Sequence, residues 1–270
     1  MSTYKIRSLT LGGVLDQAVA ITKNHFGPLV AIMVITVAPF SMAANWLATM
    51  QPVPPLNPTP QDIQVYLQAQ QQFLMTLAIV LLPSLLATVI GNAAMLQAIA
   101  DVYLGKSFTP FSVIGQAFRK FGPLFGTSIL VGVTVGVGLV LCFVPGIIFM
   151  LWYGLATQVV IVEGIWGLPA MKRSKALMQG NIGSFFVLVL VIGLVNLAIG
   201  TVANFIPQPH LRALMATVVQ TVLSVFASAA VVVFYFSARC KNEQFDLQLL
   251  ADNIGEEIVL DVDDDQRSAE

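Results

Sequence analysis

The chain has 270 residues, 57% of them hydrophobic and only 10% charged, against roughly 25% charged residues in an average soluble domain. That composition argues against an ordinary soluble fold. The net charge of −1 hides a segregation: Met1 to Asn242 carries twelve Lys and Arg against Asp16, Asp62, Asp101 and Glu163 (+8), while the remainder from Glu243 carries ten acids against Arg267 (−9).

In chain order, Lys5, Arg7 and Lys23 precede a first apolar run from Phe26 to Met50. This run is longer than the roughly 7–15 residues of a secretory signal core and lacks a small-x-small cleavage site, so it reads as a retained span. Gln51 to Pro60 holds five prolines and no base and reads as an external connection. The Gln-rich stretch 61–72 starts a helix that lengthens the second run, Phe73 to Leu104. At about 1.5 Å per residue that run alone is about 48 Å long, so it projects beyond the bilayer or bends, with Pro83 as the bending point. Later runs cover Gly122 to Phe143, Gly146 to Val162, Ser184 to Phe205 and Leu211 to Ala238. With about 20 residues needed to cross the hydrocarbon core, six transmembrane helices are expected.

The bases flank these runs in islands: Lys106, Arg119 and Lys120 between the second and third, Lys172, Arg173 and Lys175 between the fourth and fifth, Arg239 and Lys241 after the sixth. If both termini are cytoplasmic, twelve of the thirteen bases face inward, all but Arg212. This places the chain in a bacterial inner membrane as a multi-pass protein. Bases set beside spans rather than along one face give no support to nucleic-acid binding. Cys142 and Cys240 fall at opposite membrane faces in this topology, so a disulfide would have to bridge roughly 30 Å of hydrocarbon.

The inward segments share a pattern. Leu11, Val14, Leu15, Ala18, Val19 and Thr22 fall on one helical face, as do Phe111, Ile114, Phe118 and Phe121, and then Met171, Ser174, Leu177 and Met178. Each segment is expected to be an amphipathic interfacial helix. Each leads into a span through a related joint: Phe26-Gly27-Pro28-Leu29, Phe121-Gly122-Pro123-Leu124 and, more loosely, Ile182-Gly183-Ser184-Phe185. Gly is expected to break the interfacial helix and Pro to sit in the next first turn. The recurrence fits a threefold parallel repeat (9–104, 108–162, 168–238), or a general use of Gly-Pro where helices enter from an interface.

Candidate chemistry is sparse. Asp101 and Glu163 lie at cytoplasmic span ends, and Glu163 with Arg173 is expected to form a structural ion pair that folds the amphipathic helix back. Asn92, Gln97, Gln158, Asn196, Asn204 and Gln220 sit within spans, where hydrogen bonds between helices explain them at about 0.6–2 kcal/mol each. A polar pathway is the other reading of the same groups. Gly122 and Gly126, and Gly132 and Gly136 with Gly138 beyond, have the spacing of close helix packing, within the chain or across a homo-oligomer. His25 and His210 stand apart without carboxylates at ligand spacing, so no metal centre, cofactor site or catalytic acid–base pair is expected.

Val144-Pro145-Gly146-Ile147, Val162-Glu163-Gly164 and Ala170-Met171-Lys172-Arg173-Ser174 with Leu177 and Gly180 carry a family resemblance, together with two further stretches. These are Leu11 to Pro28 and Phe234-Tyr235 to Leu250, with Arg239, Glu243, Phe245 and Asp246. The chain resembles the membrane-domain family of glycerophosphoryl diester phosphodiesterases and related multi-span proteins. The resemblance implies the membrane module without the enzyme, because the soluble barrel with its His-Arg-Gly motif is missing and 243–270 is too short to form one.

The sequence thus leads to an all-α polytopic fold: a membrane domain over 1–242 with six transmembrane helices and three cytoplasmic-side amphipathic helices, and a disordered acidic tail over 243–270. The expected role is non-catalytic: membrane-organising, lipid-interacting or partner-anchoring. Lys23, Arg119, Lys120, Lys172, Arg173 and Lys175 would meet anionic lipid head groups or a protein partner. A transporter or channel for a lipid-like or small amphipathic solute is the alternative.

Overall fold

The structure is a computed structural model that describes residues 7–56, 59–203 and 205–243; every regular element among them is an α-helix. The chain runs α1 (Leu11–Asn24), α2 (Phe26–Thr36), α3 (Ala38–Ala48), α4 (Pro60–Tyr103), α5 (Pro110–Arg119) and α6 (Phe121–Leu141). It continues through α7 (Phe143–Tyr153), α8 (Ala156–Glu163), α9 (Leu168–Met178), α10 (Ile182–Ala203) and α11 (Pro209–Glu243). Five segments are long and apolar enough to cross a membrane: α4, α6, α7 with α8, α10 and α11; the bent pair α1 and α2 makes a sixth. The chain is a multi-pass membrane protein.

The first segment bends by 83° between α1 and α2. Because α1 is the amphipathic member of that pair, the apolar path continues through α3 instead, past a break at Val37 with Pro39 in the first turn of α3. The fourth expected span is likewise two helices, α7 and α8, parted at Gly154 and Leu155. The second is one helix of 44 residues, begun by a Thr59–Asp62 capping box and carrying Pro83 inside it. At about 1.5 Å per residue it is roughly 66 Å long, more than twice the hydrocarbon thickness of about 30 Å, so its polar N-terminal turns project from the bundle.

Burial follows membrane rather than aqueous logic. The outer faces of α4, α6 and α10 carry exposed aliphatics such as Ile79, Leu82, Leu85, Val133, Leu194 and Leu197, whereas α4 and α11, which pack on each other, bury small residues, Ala93, Ala94 and Ala98 of α4 and Ala229 and Ala230 of α11, among larger ones. Small side chains let backbones approach where lipid offers no competing hydrophobic force. The C-terminal halves of α4 and α11 therefore form the axis, with Tyr103 stacked on Phe236 at 5.0 Å.

The three joints share geometry, although glycine does not make the break. His25 (φ −122°, ψ 25°) and Lys120 (φ −92°, ψ 7°) occupy the junctions, while Gly27 and Gly122 lie inside the following helices. Each junction carbonyl accepts from the residue four on: Leu29 to His25, Leu124 to Lys120 and Phe185 to Asn181. The bridge conformation is open to any L residue, so Gly is not required there. Only the third junction uses a left-handed glycine, Gly180 (φ 74°).

The amphipathic faces also depart from expectation. On α1 the buried stripe is Val14, Ala18 and Ile21, with Val19 turned outward at 53% exposure. On α5, Val113 and Ala117 are buried, and Phe111 (75%) and Phe118 (59%) point away from the protein. Only α9 buries the whole expected set, Met171, Ser174, Leu177 and Met178. Periodicity finds an apolar face without telling whether protein or lipid covers it.

Within the chain, the close packing expected of the third span falls at Gly138. A Cβ at Gly122, Gly126, Gly132 or Gly136 would meet nothing within 4 Å, whereas at Gly138 it would lie 3.0 Å from the Gly146 Cα. Gly138 and Gly146 are thus the contact that closes the α6–α7 hairpin.

Candidate functional site

The charged end of the bundle is organised by Glu163, the last residue of α8. Gly164 follows in the left-handed conformation (φ 72°) and stops the helix, as glycine does with no Cβ penalty. The chain then turns into α9, which carries Arg173 back toward the helix it has just left. Arg173 Nε donates to Glu163 Oε2 at 2.8 Å, and the Tyr235 hydroxyl donates to Glu163 Oε1 at 2.7 Å.

Arg239 Nε lies 3.9 Å from Glu163 Oε1 and 3.3 Å from Glu243 Oε2, and Arg173 also pairs with Glu243. Hydrogen bonding to Glu243, and then to Glu163, holds the Arg173 guanidinium above its ordinary pKa despite partial burial. The expected two-residue contact is therefore a network of two carboxylates, two guanidiniums and a phenol that ties α8, α9 and α11. Tyr235, Arg239 and Glu243 follow one another at four-residue spacing on α11, a helical-face signal that identifies the missing partners. Glu243, counted with the acidic tail in the sequence, is the last residue of α11; 244–270 lie outside the described residues.

Other bases at this end are divided between internal and external roles. Lys120 Nζ donates to the Ile161 carbonyl at 2.8 Å, and Lys241 Nζ to Asn181 Oδ1 at 3.1 Å. Lys175 sits over the Trp152 ring, 3.9 Å from its centroid, with the rest of the side chain exposed. Lys23, Arg119 and Lys172 are exposed. Exposed Phe111 and Phe118 accompany Arg119 on α5, and exposed Trp166 and Leu168 lead into α9.

Ser174, fully buried, repairs the break between α7 and α8. Its hydroxyl donates to the Trp152 carbonyl at 2.8 Å and accepts from the Leu155 N–H at 3.2 Å. These are backbone groups left open by the interruption, and in lipid each must find a protein partner.

A cavity of about 330 Å³ lies deeper, lined by Asn92 and Leu96 of α4, Thr157 and Gln158 of α8, Phe185, Val189 and Ile192 of α10, and Ser228 of α11, among others. Asn92 and Gln158 are two of the expected span amides. The interhelical role expected of the amides is not what the geometry gives: Gln97 donates to Asp101 and Asn196 to the Ile192 carbonyl, each within its own helix. Besides the Glu163 network, side-chain hydrogen bonds between helices include Asn45 with Thr217 (3.0 Å) and Tyr103 with Gln17 (2.9 Å). Asn204 lies outside the described residues.

Residues 111–258, more than half of the chain, match the family described as Domain of unknown function (DUF8558). The chain belongs to this family. No curated protein and no solved structure matches it. The family region opens at Phe111 in α5 and takes in α6 to α11, so it contains the whole carboxylate–guanidinium network and every wall of the cavity except α4.

Proposed function

We propose that the chain is a non-catalytic integral membrane protein whose charged end contacts anionic lipid head groups. The carrying observation is the exposed set Lys23, Arg119, Lys172 and Lys175, accompanied by outward Phe111, Phe118, Trp166 and Leu168. Cations beside exposed aromatics match the two layers of a membrane interface, phosphate above and acyl carbon below. Lys120 and Arg173 leave this set, because their donors serve the protein. The charge distribution supports a bacterial inner membrane with both termini cytoplasmic. The resemblance to the membrane domain of glycerophosphoryl diester phosphodiesterases fits the same reading, since that domain is distinct from the catalytic barrel.

At about 1 kcal/mol per base, each loss weakens lipid retention roughly fivefold. Native mass spectrometry of the purified protein should show retained anionic lipid, progressively lost in K23E, R119E and K172E. Retention unchanged in the triple variant would overturn the reading. Lys120→Gln should instead lower thermal stability and leave retention intact. The alternative of a transporter for a lipid-like or small amphipathic solute draws its support from Asn92 and Gln158 lining one cavity.

A further inference from the structure

We infer that the cavity around Gln158 is an intramembrane binding site for the hydroxyl-bearing end of a neutral lipid that enters from the bilayer. Gln158 is 7% exposed, and its Oε1 is buried with no hydrogen-bond partner. Asn92, Thr157 and Ser228 border the same space, and among the described residues none of these side chains has a hydrogen bond within the protein. That is unusual in this bundle. Thr36, Thr76, Thr88, Thr134, Thr217 and Thr221 each return the hydroxyl hydrogen to the carbonyl one turn earlier. Two amides and two hydroxyls that all forgo such bonds converge on one cavity, in a setting where unsatisfied polar groups are costly.

Position narrows the ligand. Gln158 is about 8 Å along α8 from Glu163, Ser228 about 16 Å along α11 from Arg239 and Asn92 about 18 Å along α4 from Leu104, at about 1.5 Å per residue. The hydrocarbon half-thickness is about 15 Å, so the site reaches from just below the charged end to the midplane. No charged side chain lines it. A phosphate brought there would have no counter-ion, which excludes a phospholipid head group. The Gln158 carbonyl needs a donor, while the amide NH₂ groups and hydroxyls can donate in return, so the ligand group must do both. A free hydroxyl beside ester carbonyls, as in a diacylglycerol, meets that requirement. The volume sits at the lower end of the roughly 300–1,000 Å³ of ligand pockets, enough for the polar end with the acyl chains left in lipid.

Entry from the bilayer fits the lining: α10, which packs on α11 and α7, contributes Val189 and Ile192 to the cavity, and Asn92 of α4 in the same lining is exposed. This inference rests on the membrane-protein reading and deepens its lipid contact, but uses none of the surface bases.

The test uses the purified full chain in nanodiscs with a diacylglycerol carrying a photoactivatable diazirine, and crosslinked peptides located by mass spectrometry. Labelling should concentrate on α8 and α10 around Gln158 and Val189, and unlabelled diacylglycerol should compete. Gln158→Leu, close in volume, should reduce labelling about fivefold, the value of one lost hydrogen bond; Ser228→Phe, which fills the cavity, should abolish it. Equal labelling by a diazirine phosphatidylcholine, labelling unchanged in Q158L, or displacement by free glycerol but not by diacylglycerol would each overturn the inference. K23E/R119E/K172E should leave cavity labelling intact even where anionic-lipid retention is lost, so failure of the surface reading and failure of this one are separable.

Discussion

Ser174 and Glu163 show how little of this protein's polarity is decorative. Ser174 satisfies a carbonyl and an N–H that the α7–α8 break would otherwise leave open. Ser174→Ala removes both bonds without adding volume and should cost about 1–3 kcal/mol, the penalty of orphaned buried polar groups; a lowered midpoint in chemical unfolding of the detergent-solubilised protein would register it. Glu163 was identifiable from the sequence because a lone acid at a span end stands out. Its ties to Tyr235 and Arg239 span more than seventy positions, and they depend on the α8–α9 turn and the α11 path meeting in space.

Helices and their junctions divide by what a neighbour allows. The α6–α7 hairpin needs Gly146, because a Cβ there would fall 2.6 Å from the Leu139 backbone nitrogen. Gly146→Ala should therefore destabilise by about 1–3 kcal/mol, as overpacking does. Gly132→Ala, facing open space, should be neutral or gain up to about 1 kcal/mol from helix propensity. Thermal unfolding of the two variants side by side checks this contrast. The same contrast divides the glycines of α6: the intramolecular partner comes to Gly138, while Gly122, Gly126, Gly132 and Gly136 face open space, where the homo-oligomer alternative would use them.

Taken whole, the basic helices α1, α5 and α9 pack on α11, α4 and α8 respectively. Neither cysteine is in a disulfide; Cys142 is exposed at the α6–α7 turn and Cys240 is buried in the last turn of α11. With the termini inward, Cys142 should react with a membrane-impermeant maleimide applied to the outer face of intact cells. Cys240 should react only after denaturation. Labelling of Cys142 from the inner side alone would reverse the orientation.

Length and hydropathy by themselves determined that the chain is all-helical and multi-pass, since a bilayer demands long apolar helices wherever backbone crosses it. The order of spans and the amphipathic segments were legible for the same reason, each being a local pattern set by spacing along one helix, and Glu163 with Arg173 was legible because one short turn between α8 and α9 parts them. Tertiary structure alone decided which apolar faces met protein and which stayed exposed, as Val113 and Phe111 on opposite sides of α5 illustrate. It also decided that Asn92, Thr157, Gln158 and Ser228, drawn from three helices, would share a cavity rather than bond to one another. Both outcomes depend on how helices rotate and cross, and with lipid as apolar as the core, hydrophobicity does not choose between them.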